Sequence, residues 1–234
     1  MLSFGNIILT AGSGAWFETA PNPNPLNLPP FTIRVQYAPG KTPDIPVSHG
    51  ATVAQVSAEP NIWDVTRALD ENGFPYWDAL FRTDLDLVAV LGANSSGITR
   101  MNMLFAYCSN LRSVEFFDTS MCTEMYLMFE LTKIQEAPAF NTSSAEDMHG
   151  MFYLCKSLKH VPLYSTASCY DMSDMFAFCW NVEGGALALY TQASSQAVPP
   201  TYYVAAFYQC GKDTETGAAE LAQIPYEWRS WDET

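Results

Sequence analysis

The sequence predicts an α/β repeat fold, a solenoid of parallel strands and short helices with a small β-rich cap at its N-terminal end. Three observations lead there. An apolar signature returns every 23 to 24 residues, each copy spaces its apolar groups as one face of a helix, and a short β-branched segment follows each copy. The signature aligns as Trp77-Asp-Ala-Leu80-Phe81, Met101-Asn-Met-Leu104-Phe105, Met125-Tyr-Leu-Met128-Phe129, Met148-His-Gly-Met151-Phe152 and Met172-Ser-Asp-Met175-Phe176. Its phenylalanines are 24, 24, 23 and 24 residues apart, and a degenerate sixth copy, Tyr203-Val-Ala-Ala206-Phe207, follows a longer gap.

Taken in chain order, residues 1–30 form a tail with an apolar stretch, Ile7-Ile-Leu9, an aromatic pair, Trp16-Phe17, and five prolines between residues 20 and 30. Proline-rich chain is extended, so this segment reads as an anchor and linker. Phe31 to Tyr37 alternates as a strand and Ala38-Pro-Gly-Lys41 turns the chain. Residues 31–74 are therefore a β-rich cap, needed because an end repeat leaves an apolar face bare.

Residues 75–212 carry the copies. Met-x-x-Met-Phe-x-x-Cys places apolar groups at i, i+3, i+4 and i+7, the pattern of a short amphipathic helix. Asn94-Ser-Ser, Asp118-Thr-Ser, Asn141-Thr-Ser and Ser165-Thr-Ala stand upstream as capping or turn residues. The segments after each helix, beginning at Leu87, Leu111, Ile134, Leu158 and Val182, read as strands. A strand and a short helix every 23 to 24 residues is leucine-rich-repeat spacing. Residues 213–234 close the C-terminal end.

Eleven Lys and Arg against 25 Asp and Glu give a formal charge of −14, which opposes binding to nucleic-acid phosphates. With 48% hydrophobic and 14% aromatic residues the chain can bury a large core, so disorder is not its main state. No apolar run reaches the length of a membrane span. The N-terminus is a poor match to a secretory signal, having no basic residue ahead of its apolar stretch.

All six cysteines fall on repeat columns. Cys108, Cys155, Cys179 and Cys210 end the apolar face, while Cys122 and Cys169 share a position before it. Small buried thiols are the expectation, and the absence of any Cys-x-x-Cys pair argues against zinc. The core is expected at Phe81, Phe105, Phe129, Phe152 and Phe176 with Cys108, Cys155 and Cys179, and seven of the ten methionines share its columns. His49, His149 and His160 occur in unrelated contexts, so no catalytic constellation is assembled, and neither a cofactor nor a metal is expected. Glu124, Asp147 and Asp171 form an acidic column at the helix starts, explained by capping or the helix dipole, with calcium bridging as the alternative. Outward strand positions are where a solenoid recognises ligands, and they hold Arg112 and Glu115, Gln135, and Lys159 and His160. Phe117, Phe140 and Tyr164 form an aromatic column beside them, either a packing ladder or a contact surface for carbohydrate or protein.

The string DMHGMFYLCKSLKHVPLYSTASCYDMSDMFAFC, Asp147 to Cys179, closely resembles the repeat of BspA-type leucine-rich-repeat surface proteins, in the Met-Phe-x-x-Cys variant of mycoplasmas, gut bacteria and their phages. The resemblance spans about residues 75 to 212. It implies adhesion or recognition rather than catalysis. With no secretory signal, the expectation is a recognition protein displayed on a phage virion, held in its assembly with other subunits by the N-terminal tail and binding a host-surface protein or glycan. A bacterial surface adhesin and a purely structural decorating subunit are the alternatives.

Overall fold

A computed structural model of the chain describes residues 24, 26–45, 50–56, 61–67, 73 and 76–231. The anchor residues Ile7 to Leu9, Trp16 and Phe17, and also His49, lie outside the described residues.

The N-terminal part is a mixed five-stranded sheet. Its strands are β1 (Thr32–Tyr37), β2 (Ala51–Gln55), β3 (Ile62–Arg67), β4 (Leu87–Asn94) and β5 (Ser113–Val114), in the order β2-β3-β1-β4-β5. Strand β1 runs antiparallel to both β3 and β4, and only β5 lies parallel to its neighbour. Alternation puts Ile33, Val35 and Tyr37 of β1 into the core, while Arg34 on the other face meets its cross-strand partner Asp64 at 2.7 Å. From the proline-rich stretch, Leu28 is buried and its carbonyl accepts a hydrogen bond from the Asn94 side chain.

The structure overturns the expected solenoid of parallel strands and short helices. No helix forms at any copy of the signature: the described helices are α1 (Ala186–Ser194), α2 (Glu215–Leu221) and α3 (Tyr226–Arg229), all after the fifth copy. Each copy is instead a pair of consecutive turns. Two residues per copy have positive φ, as in Ala79 and Thr83, Met103 and Tyr107, Leu127 and Leu131, Gly150 and Leu154, Asp174 and Phe178, and Ala205 and Gln209. A right-handed helix cannot pass through such residues. The backbone pairing shows what replaces it. In the first copy Leu80, Arg82 and Asp84 donate three residues back, to Trp77, Ala79 and Phe81, while Trp77, Ala79, Phe81 and Thr83 donate across to Arg100, Asn102, Leu104 and Ala106 of the next copy. The same alternation continues to the sixth copy. Hydrogen bonds between copies therefore offset the cost of the left-handed residues.

The expected strands after the third, fourth and fifth copies do not form either. Pro138 and Pro162 each remove a donor the ladder would need, and single bonds such as Lys159 N–H to Gln135 O remain. The expected helix caps act between copies: Thr119 and Thr142 hydroxyls donate to the carbonyls of Asn141 and Ser165.

The turns stack so that Phe81, Phe105, Phe129, Phe152, Phe176 and Phe207 form one buried column, with successive ring centroids 5.2 to 6.1 Å apart. Trp228 of α3 lies 6.4 Å beyond Phe207 and ends the column. The cysteines stitch the copies together, since Cys108, Cys155 and Cys179 thiols donate to the carbonyls of Phe81, Phe129 and Phe152 at 2.9, 3.0 and 3.1 Å. All six are free and buried. In the first copy Asp84 takes the cysteine position and accepts from the Tyr37 hydroxyl, which ties the sheet to the stack.

Candidate functional site

A turn that sends its phenylalanine inward sends the next one or two residues outward, and stacking brings those residues from successive copies into contact. Tyr153, Phe178 and Tyr208 meet in this way, with centroids 5.6 Å apart for the first pair and 5.1 Å for the second. Trp231 lies 5.6 Å from Phe178 and stacks on Tyr208 at 5.3 Å, and Trp180 lies 6.5 Å from Phe178. The side chains of this row are half-buried to exposed. Cations border it: Lys156 and Lys212 place their ammonium groups 4.2 and 4.6 Å from the Trp180 ring centre. The Trp231 indole donates to Asp174 Oδ1 at 2.8 Å, which holds its ring in place.

Glu130 sits along the same side of the stack. It is only 6% exposed, and one carboxylate oxygen has no hydrogen-bond partner. Burial raises its pKa, while the Tyr107 hydroxyl and the charges of Arg82 and His149 act in the opposite direction. Tyr126 stacks on His149 at 5.2 Å. His149 Nδ1 lies 3.0 Å from Ser173 Oγ and 3.9 Å from Asp171. Both neighbours meet the same ring nitrogen, so the trio cannot relay a proton as a hydrolase triad does.

The outward positions singled out from sequence have a different fate. Arg112, Glu115, Gln135 and His160 are exposed, but Lys159 is paired with Glu183 at 2.8 Å and His160 faces Glu136 at 3.6 Å. Phe117, Phe140 and Tyr164 are buried, at 0, 6 and 3% exposure, and so are removed from the candidate surface. Phe117 packs on Phe140 at 4.8 Å, Tyr164 lies 6.2 Å from Phe152, and the Tyr164 hydroxyl donates to Pro138 O. These rings widen the core, and the row they leave is polar. The acidic column does not cap helices. Asp147 and Asp171 accept from the N–H groups of His149 and Ser173 and close local turns, and Glu124 accepts from Asn102. No group of three metal-ligating side chains gathers among the described residues.

The helical reading missed the aromatic row because it treated the residues after each phenylalanine as helix surface. One signal was present: Tyr107, Tyr153, Phe178 and Tyr208 all stand one or two places after a core phenylalanine. Among the described residues no helix is long and apolar enough to cross a membrane. No curated protein and no solved structure matches the chain. Over residues 80–186, the stretch holding most of the turn copies, the chain matches the family described as Mycoplasma protein of unknown function, DUF285.

Proposed function

We propose that the protein is a non-enzymatic recognition module of the BspA-like kind, whose binding surface is the aromatic row from Tyr153 to Trp231. The observation that carries this reading is the row itself. Large rings left half-exposed beside cations forgo part of the burial energy they could gain, and such rings are typical anchors of binding surfaces. The resemblance of the repeat to BspA-type surface proteins supports the same reading. Display on a virion, with residues 1–30 as the attachment, is the placement we propose with it. A bacterial surface display would use the same face.

The test is binding to a printed array of surface glycans and extracellular-matrix proteins. The full chain is expected to bind at least one class saturably, and a variant carrying Tyr153→Ser, Phe178→Ser and Tyr208→Ser to lose that binding while keeping its fold by circular dichroism. Absence of saturable binding by the full chain would favour the purely structural role instead.

A further inference from the structure

The aromatic row ends at a cleft of about 540 Å³ whose lining includes Tyr208, Gln209, Lys212, Tyr226, Arg229 and Trp231. That volume suits a small ligand. Two features of the lining point to its chemistry. Tyr208 and Trp231 stack with their planes 25° apart and Trp231 is 49% exposed, so Tyr208 backs the indole and Trp231 offers one wall as an open aromatic face. The Trp231 ring is fixed by its bond to Asp174, and an indole held this way loses little freedom when something stacks on it.

The second feature is charge. Lys212 shares its ammonium with Asp213 at 2.6 Å, but Arg229 comes within ion-pair distance of no carboxylate among the described residues. Its Nε donates to Ile224 O at 2.8 Å, which orients the guanidinium, and Tyr226 lies 6.0 Å from it. In a chain of net charge −14, an oriented guanidinium with no carboxylate partner among the described residues, beside an aromatic wall, is a cation open to an anionic group.

We infer that this cleft binds a saccharide bearing a carboxylate. The C–H face of a pyranose ring packs on the Trp231 ring that Tyr208 backs, the carboxylate pairs with Arg229, and the Gln209 amide serves the hydroxyls. A neutral sugar would leave the guanidinium without an anionic partner among the described residues. An acidic peptide would supply the charge but not the flat C–H face. This inference rests on the recognition reading above and names its ligand class.

The experiment is calorimetric titration of the full chain with trigalacturonate, with galactotriose and a pentaglutamate peptide as comparison probes. Trigalacturonate is expected to bind with a Kd of about 1 mM or tighter, at least about tenfold better than either comparison probe. Trp231→Ala, at an exposed position, is expected to weaken trigalacturonate at least about tenfold with an unchanged melting curve. Arg229→Gln is expected to bring trigalacturonate down to the level of galactotriose, and Lys212→Gln, at a more exposed cation, to cost less. Failure of trigalacturonate to bind, equal binding of galactotriose or of pentaglutamate, or an unaffected Trp231→Ala variant would each overturn the assignment. If array binding through the aromatic row persists in that event, the ligand class fails and the recognition reading stands.

Discussion

Gly150→Ala distinguishes a turn-built copy from a helical one by the sign of its effect. Gly150 has φ +57°, and a Cβ added there would lie 2.4 Å from Leu127 Cδ2. Holding alanine in the left-handed region costs about 1 to 2 kcal/mol. The clash involves the far end of a flexible leucine, so its relief adds no more than about 0.5 to 1.5 kcal/mol, the cost of pushing a rotamer off its minimum. The turn geometry therefore predicts destabilisation by about 1 to 3.5 kcal/mol. A helix through the same residues predicts stabilisation by up to about 1 kcal/mol, because alanine is the better helix former. Reversible urea denaturation, with the m-value compared between variants, measures the difference. Ala79→Gly is the inverse experiment at the same place in the first copy, where φ is +54°. It is expected to be neutral or mildly stabilising, against a loss of about 1 kcal/mol in a helix. A stabilised Gly150→Ala protein together with a destabilised Ala79→Gly protein would refute the turn reasoning.

Phe152→Ala removes a ring that is fully buried and stacked at 5.3 and 5.2 Å between Phe129 and Phe176, so a loss of about 3 to 5 kcal/mol is expected; denaturation showing under about 1 kcal/mol would mean that the column is not the core. Burial pushes the thiols of Cys122, Cys155 and Cys169 up to about 12 and those of Cys108, Cys179 and Cys210 further, so native protein at pH 8 should resist alkylation and unfolded, unreduced protein should take six labels by mass spectrometry. Because these folded-state pKa values lie above the ordinary thiol value of 9.0, the stability they carry is complete below pH 9. It falls as the pH rises toward 12, by up to about 1.4 kcal/mol per pH unit for each cysteine, and urea midpoints that stay flat from pH 8 to beyond about 10 would contradict this. Glu130→Gln removes a buried charge whose pKa burial raises, and it should stabilise the protein at pH 8 by up to about 1 kcal/mol. Protonation of wild-type Glu130 relieves the same penalty, so that gain should shrink as the pH falls through its raised pKa.

The period of 23 to 24 residues is written in the sequence, and it places Phe81 through Phe176 one above another whatever conformation lies between them. The conformation itself is not written there. Apolar groups at i, i+3, i+4 and i+7 fit one face of a helix, and they fit equally well two consecutive turns whose alternate N–H groups reach the next copy. Glycine would have betrayed the left-handed positions, but only Gly150 among the twelve is glycine; side chains such as Met103, Leu127 and Phe178 occupy the others because bonds between copies hold them there. Local propensity gives no warning of a conformation imposed from outside the segment. The same cause hid the candidate site. The sequence leaves Phe117, Phe140 and Tyr164 open between a packing ladder and a contact surface, and the structure settles on packing, with all three rings turned into the core. Mixed pairing in the sheet was equally hidden, since β4, expected as the first repeat strand, pairs parallel with β5 on one side but antiparallel with β1 on the other.

The claim that the aromatic row is the recognition surface is tested most directly by a comparison of three proteins on one array target. These are the unaltered chain, the Tyr153→Ser, Phe178→Ser and Tyr208→Ser variant, and a variant of the polar row carrying Arg112→Ser, Glu115→Ser and Gln135→Ser. With dissociation constants measured by surface plasmon resonance, the aromatic-row variant is expected to weaken at least about a hundredfold, about 2.7 kcal/mol, while the polar-row variant stays within about threefold of the unaltered chain. Loss of binding in the polar-row variant with the aromatic-row variant unaffected would contradict the account.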